Sequence, residues 1–190
     1  TASGGTTLCS SQTVNLTGTV SGPSNVPLSF TSTGSNSNVA IADNGITLGW
    51  TGTGGTFATS DIPVTGLNAG WSLTGITFNI THTFDGDLIG YLFDPCGNSI
   101  QLISSTGGSG DNFTNTTFTP GATTGIGSGA APFNGTFVPS GGTAAWNAFI
   151  TASAACGSAN GTWSLHVGDK AGADVGTIVN WSLTFSNPSS

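Results

Sequence analysis

The chain has 190 residues, of which 5% are charged, and its formal net charge at pH 7 is −7. All eight acidic residues are aspartates, and Lys170 is the only basic residue apart from two histidines. Nucleic acid and anionic membrane surfaces are therefore excluded as partners, because almost no cation is available to neutralise phosphate.

Several features of the sequence are typical of an exported protein. The sequence begins at Thr1 and contains no methionine, so we interpret it as a processed chain. It has no run of about 18 apolar residues that could span a bilayer. Together with the abundance of Thr, Ser, Gly and Asn, this predicts an extracellular or cell-surface location without membrane insertion.

Residues 1–55 contain two candidate strands separated by the polar stretch "STGSNSN". The first, "TVNLTGTV", places Val14, Leu16 and Val20 on one face, although Gly18 on the same face weakens the prediction. The second is "ITLGW". We expect this N-terminal extension to add strands to the same domain or to a neighbouring molecule.

The clearest period-two alternation lies in three later segments. They are "ITFNITHTF" with Ile76, Phe78, Ile80, His82 and Phe84 on one face, "TWSLHV" with Trp163, Leu165 and Val167, and "GTIVNWSLTF" with Val179, Trp181, Leu183 and Phe185. Turn dipeptides such as Asn-Gly and Asp-Gly separate such runs, and no window shows a helical stripe.

This pattern predicts an all-β fold of many short antiparallel strands, as in a β-sandwich or jelly roll. We expect the sandwich to occupy residues 56–186, with 187–190 as a tail. The segment 119–145 is too long for a tight turn and is predicted to be a long loop.

Aspartates are concentrated in three turn-like segments: "DGD" with Asp85 and Asp87, "GSGDNF" with Asp111 and Asn112, and "GDKAGADVG" with Asp169 and Asp174. With one lysine in the chain, most of these carboxylates cannot form salt bridges, and clustered carboxylates repel one another unless they are protonated, hydrated or metal-bound. Ca²⁺ prefers six to eight oxygen ligands of this kind. The sequence predicts calcium sites in these loops; the alternative is that the aspartates only cap backbone N–H groups in turns.

Catalysis is not predicted. His82 lies on the apolar face of its strand and is expected to be a hydrogen-bonded core residue, whereas His166 lies opposite Trp163 and is expected to be exposed. The chain has no GxSxG motif. The presence of Ser, His and Asp in a sequence does not by itself indicate a catalytic triad, which is defined by the geometry of the three side chains. The carboxylates lie in polar turns, which suit a metal better than the paired acids of a glycosidase.

The three cysteines are Cys9, Cys96 and Cys156, and none of them forms a CxxC motif. In an exported protein this predicts one disulfide and one remaining thiol. We favour Cys96–Cys156, because both lie in loops of the second half marked by Gly and Asn. Cys9 would then be free or would bond another chain.

From about Phe57 to Phe185, the sequence resembles the P-domain of subtilisin-like proprotein convertases. The segments that carry the resemblance are "NITHTFDGDLIGYLFDPCGNSIQLI", "GGSGDNFTNTTFTP", "PFNGTFVPSG" and "NGTWSLHVGDKAGADVGTIVNWSLTF". The resemblance implies an antiparallel sandwich of jelly-roll type and a non-catalytic role, since in proteases this module follows the catalytic domain and supports its folding. It does not cover residues 1–55.

Three functions follow from these observations. The first is an extracellular structural protein, a calcium-stabilised sandwich that self-associates into a homo-oligomer or fibre, with the N-terminal strand added to a neighbour's sheet edge. The second is an accessory module of a secreted subtilisin-like protease. The third is a carbohydrate-binding or adhesin module that stacks polysaccharide on Trp50, Trp71 or Trp146, although core or edge packing is the commoner role of such residues.

Overall fold

The structure is a computed structural model that describes residues 26–187. Two packed β-sheets and one α-helix form the fold. The elements are β1 (Leu28–Thr31), β2 (Val39–Ile41), β3 (Ala58–Val64), β4 (Ser72–His82), β5 (Leu88–Phe93), β6 (Ser99–Ser104), β7 (Phe113–Phe118), β8 (Gly135–Phe137), α1 (Gly142–Ala155), β9 (Gly161–Asp169) and β10 (Gly176–Ser186). Short 3₁₀ turns lie at Gly34–Asn36, Asp85–Asp87 and Ile126–Ser128.

The strands form a six-stranded and a four-stranded sheet. The larger sheet has the order β1-β10-β4-β7-β8, with β2 also paired to β10, and the smaller has the order β3-β9-β5-β6. The described strand pairs are antiparallel except for β7 with β8. The predicted β-sandwich is therefore confirmed. β1 and β2, which come from the first 55 residues, pair within this same sandwich, whereas the candidate strand at 13–20 lies outside the described residues.

The core lies between the two sheets and is built by the predicted alternation. Ile76, Phe78 and Ile80 of β4 are buried, as are Trp163 and Leu165 of β9. In strands that have one face turned inward, every second side chain is removed from water, and this burial of apolar area is the main stabilising term.

The ring of Trp163 links the smaller sheet to the rest of the core. Its centroid lies 5.4 Å from that of Phe185 in the larger sheet and 6.2 Å from that of Phe149 in α1, both in edge-to-face geometry. Such aromatic pairs add to the stabilisation from buried area.

Two face assignments made from the sequence are wrong. Phe84 is 37% exposed, because β4 ends at His82 and the chain then enters the turn at Asp85–Asp87. Val179 is only partly buried and Ile178 takes the inward position, because the pairing of β10 with β4 shifts register between Ile178 and Asn180. A β-bulge of this kind moves the following residues to the other face.

The prediction that the chain contains no helix is also wrong, because the structure contains α1. The segment 119–145 contains a 3₁₀ turn, β8 and the start of α1, which runs to Ala155. Six alanines in α1 favour the helical state. Trp146, Phe149 and Ser153, three and four positions apart, form its buried face.

The segment "ITLGW" is not a strand but part of a loop that covers the outer face of the smaller sheet. Ile46 and Trp50 pack there against Ile89, and Trp50 also contacts the rings of Phe57 and Tyr91. The same loop corrects the prediction for His166. Its ring lies on the predicted face but stacks between Phe57 and Phe93, and its Nδ1 lies 2.7 Å from the carbonyl oxygen of Gly52.

Within residues 26–187, α1 is the one α-helix, and no helix there is both long and apolar enough to cross a bilayer.

Candidate functional site

The loops that carry the predicted site residues meet at one end of the sandwich. Antiparallel pairing places the end of β4 beside the start of β10, with His82 opposite Gly176, and the start of β5 beside the end of β9, with Leu88 opposite Asp169. β7 begins at the same end, where Phe113 pairs with Ile80. We call the loops 83–87, 105–112 and 170–175 the acidic end. The aspartates predicted from three separate segments thus lie at one cluster of loops.

The turn at Asp85–Asp87 is pressed against the loop 105–112. The backbone N–H of Asp85 donates to the carbonyl of Gly110, and that of Gly86 donates to the carbonyl of Gly108, both at 2.8 Å. A Cβ atom on Gly86 would lie 2.9 Å from the Cα of Gly108, so a larger residue there would push the two turns apart. Glycine at position 86 therefore permits the close approach.

Asp85 is completely buried in this contact, and both oxygens of its carboxylate lack a hydrogen-bond partner among the described residues. Burial raises the pKa of Asp85 from 3.8 to about 7. The backbone amide of Asn112 and the charge of His82 oppose this rise in pKa, and the charge of Asp111 adds to it. A buried carboxylate without a partner is costly, because its charged form has lost its hydration.

His82 and Asp169 form a buried pair beside Asp85. The Nε2 of His82 lies 3.2 Å from Oδ2 of Asp169, and both side chains are almost completely buried. A carboxylate only accepts, so Nε2–H is the donor. The Nδ1 atom lies 3.2 Å from the backbone N and 2.9 Å from the backbone O of Phe84. A neutral imidazole accepts from that N–H, and a charged one donates to that carbonyl.

The other predicted ligands have partners of their own. Asp87 Oδ1 accepts from Lys170 Nζ at 3.1 Å, and Asp174 Oδ1 accepts from the Thr83 hydroxyl at 2.9 Å. The amide oxygen of Asn112 accepts from the backbone N–H of His82 at 3.1 Å.

Asp111 lies exposed in the same loop as Asn112, close enough to Asp85 to act on its charge. No group of three or more Asp, Glu, His or Cys side chains arranged for a metal occurs within residues 26–187.

Several aspartates take the turn-capping role that the sequence left open as the alternative. Asp94 accepts the backbone N–H groups of Cys96 and Asn98 at 2.9 and 2.8 Å, and Asp169 also accepts that of Ala171 at 3.0 Å. An aspartate that bonds a backbone N–H two residues later forms a turn common in such segments. Asp94, which was not predicted as a site residue, has this signal in "DPCGN".

Cys96 and Cys156 are joined by a disulfide, with their Cα atoms 6.3 Å apart. The bond ties the turn between β5 and β6 to the end of α1. Cys9 lies outside the described residues.

Two of the three tryptophans considered for sugar binding are buried and cannot stack on a sugar ring at the surface. Trp146 is 1% exposed on the inner face of α1, and Trp50 is 7% exposed beneath its own loop. Trp71 is partly buried against the core and lines a small cavity of about 110 Å³ together with residues 154 and 157–159.

Residues 73–185 match the family model of the proprotein convertase P-domain. The chain belongs to this family. The match includes the acidic end and all but the outermost residue of β4 and of β10, and it confirms the resemblance noted in the sequence. The two strands from the first 55 residues lie outside the match.

Among curated proteins, the P-domain is similar to leupeptin-inactivating enzyme 1 of Streptomyces exfoliatus, with 31% identity over 110 residues. This match covers 58% of the chain but 18% of the enzyme, so the chain spans about a fifth of the relative's length.

Among solved structures, two of a serine protease of Aeromonas sobria are similar to this P-domain. The protease in complex with its chaperone has a TM-score of 0.45 at 18% identity, covering 86% of this chain and 27% of that one. The protease alone has a TM-score of 0.41 at 20% identity, covering 84% and 26%.

Proposed function

We propose that this P-domain is a non-catalytic accessory module of a secreted subtilisin-like protease. The family match over residues 73–185 is the observation that carries the proposal. The curated relative supports it, because the similar region is a minor part of an enzyme and most of that enzyme's length lies elsewhere. The proposal therefore favours the accessory role over the self-assembling structural protein that the sequence placed first.

The surroundings of the two histidines support a non-catalytic role. In a catalytic triad, the histidine has a carboxylate on one nitrogen and a nucleophile on the other. His82 has Asp169 on Nε2, but its Nδ1 faces the backbone of Phe84 and no hydroxyl or thiol. His166 stacks between Phe57 and Phe93 and contacts a backbone carbonyl.

A secreted location is part of the proposal. The disulfide between Cys96 and Cys156 supports this location, because disulfides persist in oxidising compartments outside the cytosol. Self-association into fibres stays a prediction, since its candidate strand at 13–20 lies outside the described residues. Binding of polysaccharide stays a prediction as well, with Trp71 as its remaining partly exposed tryptophan.

The proposal is tested on the native secreted protein. Antibodies raised against this P-domain are used to precipitate it from culture medium of the organism that makes it. The precipitate is assayed on casein in parallel with the recombinant chain. We expect peptidase activity in the native precipitate, on the same polypeptide or on a stoichiometric partner, and none in the recombinant chain.

Removal of the module provides the second part of the test. A P-domain that supports a protease should, when deleted from the native gene, lower the secreted yield or the thermal half-life of that peptidase. Precipitation of the chain alone, or as a polymer without peptidase activity, would contradict the accessory role and favour the structural one.

A further inference from the structure

The buried carboxylate of Asp85 has no partner to compensate its charge. Both of its oxygens are unpartnered within residues 26–187, and the residue has no exposed surface. Buried polar atoms in native proteins are nearly always hydrogen-bonded, so an exception of this kind indicates that a proton, a water molecule or an ion compensates the carboxylate. Asp85 is the one described carboxylate in this condition.

No cationic side chain contacts Asp85. Lys170 is bonded to Asp87, and the ring nitrogens of His82 face Asp169 and Phe84. His82 therefore acts on Asp85 at a distance, without directing an N–H group to it. The sequence contains no other lysine and no arginine, so no side chain of either type is available as a counter-ion.

Two backbone carbonyl oxygens lie at the Asp85 turn: those of Gly110 and Gly108 accept the N–H groups of Asp85 and Gly86, and each carbonyl oxygen has a second lone pair. The glycine-rich loop 105–112 wraps its turn, and a Cβ atom on Gly107 would lie 2.9 Å from the Cβ of Asp85. Because Gly107 has no side chain, its backbone can lie close to the Cβ of Asp85, beside the ring of Phe133. Asp111 in the same loop contributes a second negative charge that Asp85 senses. Carboxylates, backbone carbonyls and water are the ligands that Ca²⁺ takes in proteins.

We propose that Asp85 and Asp111 bind one Ca²⁺ ion at the acidic end, with backbone carbonyl oxygens of residues 107–110 and water completing its coordination. Two carboxylates balance the charge of one Ca²⁺ ion. The site is smaller than the set of ligands predicted from the sequence, because the other predicted side chains already have partners. Asp87 is paired with Lys170 and Asp169 with His82. Asp174 accepts from Thr83, and the side chain of Asn112 accepts a backbone N–H. The inference does not rest on the association with a protease.

The test is calcium binding by the chain after removal of metal with EGTA and dialysis. Isothermal titration near neutral pH is expected to give one Ca²⁺ ion per chain, and Ca²⁺ should raise the melting temperature with a much smaller effect of Mg²⁺. Magnesium is a sharper probe of geometry, because it demands a near-octahedral site and sheds its water reluctantly.

Three variants locate the ion. Asp85→Asn should abolish binding, and Asp111→Asn should weaken it at least about tenfold, a loss of about 1.4 kcal/mol. Asp174→Asn is the matched control at the same end of the sandwich and should keep the affinity of the native chain.

Two results would overturn the inference. The first is that millimolar Ca²⁺ neither changes the melting temperature of the native chain nor gives a heat of binding. This measurement does not depend on whether any variant folds. The other is binding that survives in Asp85→Asn or disappears in Asp174→Asn, since either outcome places the ion elsewhere.

Discussion

At the residue scale, two buried aspartates of this P-domain differ in their hydrogen-bond partners. Asp85 and Asp169 are both buried, yet Asp169 accepts hydrogen bonds from His82 and from the backbone of Ala171. Both carboxylate oxygens of Asp85 lack a hydrogen bond within residues 26–187, and the backbone amide of Asn112, which donates to the carbonyl of His82, only lies close enough to favour the charged form. Two residues of identical chemistry therefore differ: Asp169 is part of a hydrogen-bonded pair, and both carboxylate oxygens of Asp85 are left without a hydrogen bond.

The raised pKa of Asp85 predicts a pH-dependent stability in the absence of metal. Its pKa is 3.8 when unfolded and about 7 when folded, so folding favours the protonated form. This contribution to stability is fully present below about pH 3.8 and is lost as the pH rises through about 7. The expected loss of unfolding free energy is on the order of a few kcal/mol.

Urea denaturation in EGTA at a series of pH values measures this effect. Asp85→Asn cannot ionise and is nearly the same shape, so its advantage over the native chain should grow from about pH 4 to about pH 8. A difference between the two proteins that stays constant over this range would mean that Asp85 does not titrate in the folded state as described.

At the element scale, α1 packs against the sandwich through two aromatic side chains. Trp146 and Phe149 lie on its buried face with ring centroids 6.5 Å apart, and Phe149 packs edge-to-face on Trp163 of β9. The indole Nε1 of Trp146 has no hydrogen-bond partner among the described residues, so Trp146 stabilises the helix by packing. The helix therefore owes its position to contacts with the sheets rather than to its own caps, which lack side-chain hydrogen bonds at the N-terminus.

Trp146→Ala is expected to lower the free energy of unfolding by about 3–5 kcal/mol, because it removes a fully buried aromatic side chain and leaves a cavity. Asn147→Ala, at the exposed neighbouring position, is the matched control and should change the free energy by less than about 0.5 kcal/mol. Equal effects of the two substitutions in urea denaturation would contradict the placement of the helix.

At the scale of the whole molecule, the disulfide connects elements that the hydrogen-bond ladders do not join. Cys96 follows β5, Cys156 directly follows α1, and the two are 60 positions apart in the sequence. A covalent link across a loop of this length restricts the unfolded chain, which is the main route by which disulfides stabilise proteins. It also holds the end of the helix close to the turn capped by Asp94.

The double variant Cys96→Ser with Cys156→Ser is expected to lose about 2–4 kcal/mol of stability and to become insensitive to reductant. Thermal or urea unfolding with and without dithiothreitol measures both effects. Cys9→Ser is the control: it should keep the stability and the reductant sensitivity of the native chain. A loss of reductant sensitivity in Cys9→Ser would show that Cys9 takes part in the disulfide instead.

The sequence by itself determined the all-β class, the family and the inward face of most long strands. Ile76, Phe78 and Ile80 could be assigned because a strand alternates its side chains with period two, a property of the local backbone that needs no knowledge of distant residues. The same local rule failed at Val179, where a bulge in the pairing with β4 changes the face, and at Phe84, where the strand has already ended.

Only the tertiary structure decided which aspartate is left without a partner. His82 and Asp169 are 87 residues apart and Thr83 and Asp174 are 91 apart, so no local pattern indicates that they bond. The loops meet because antiparallel pairing brings the ends of β4, β5, β9 and β10 together. The composition predicted that most carboxylates would have no lysine to form a salt bridge with. Asp85 differs from the other buried aspartates because the fold gives hydrogen-bond partners to them and none to its carboxylate oxygens.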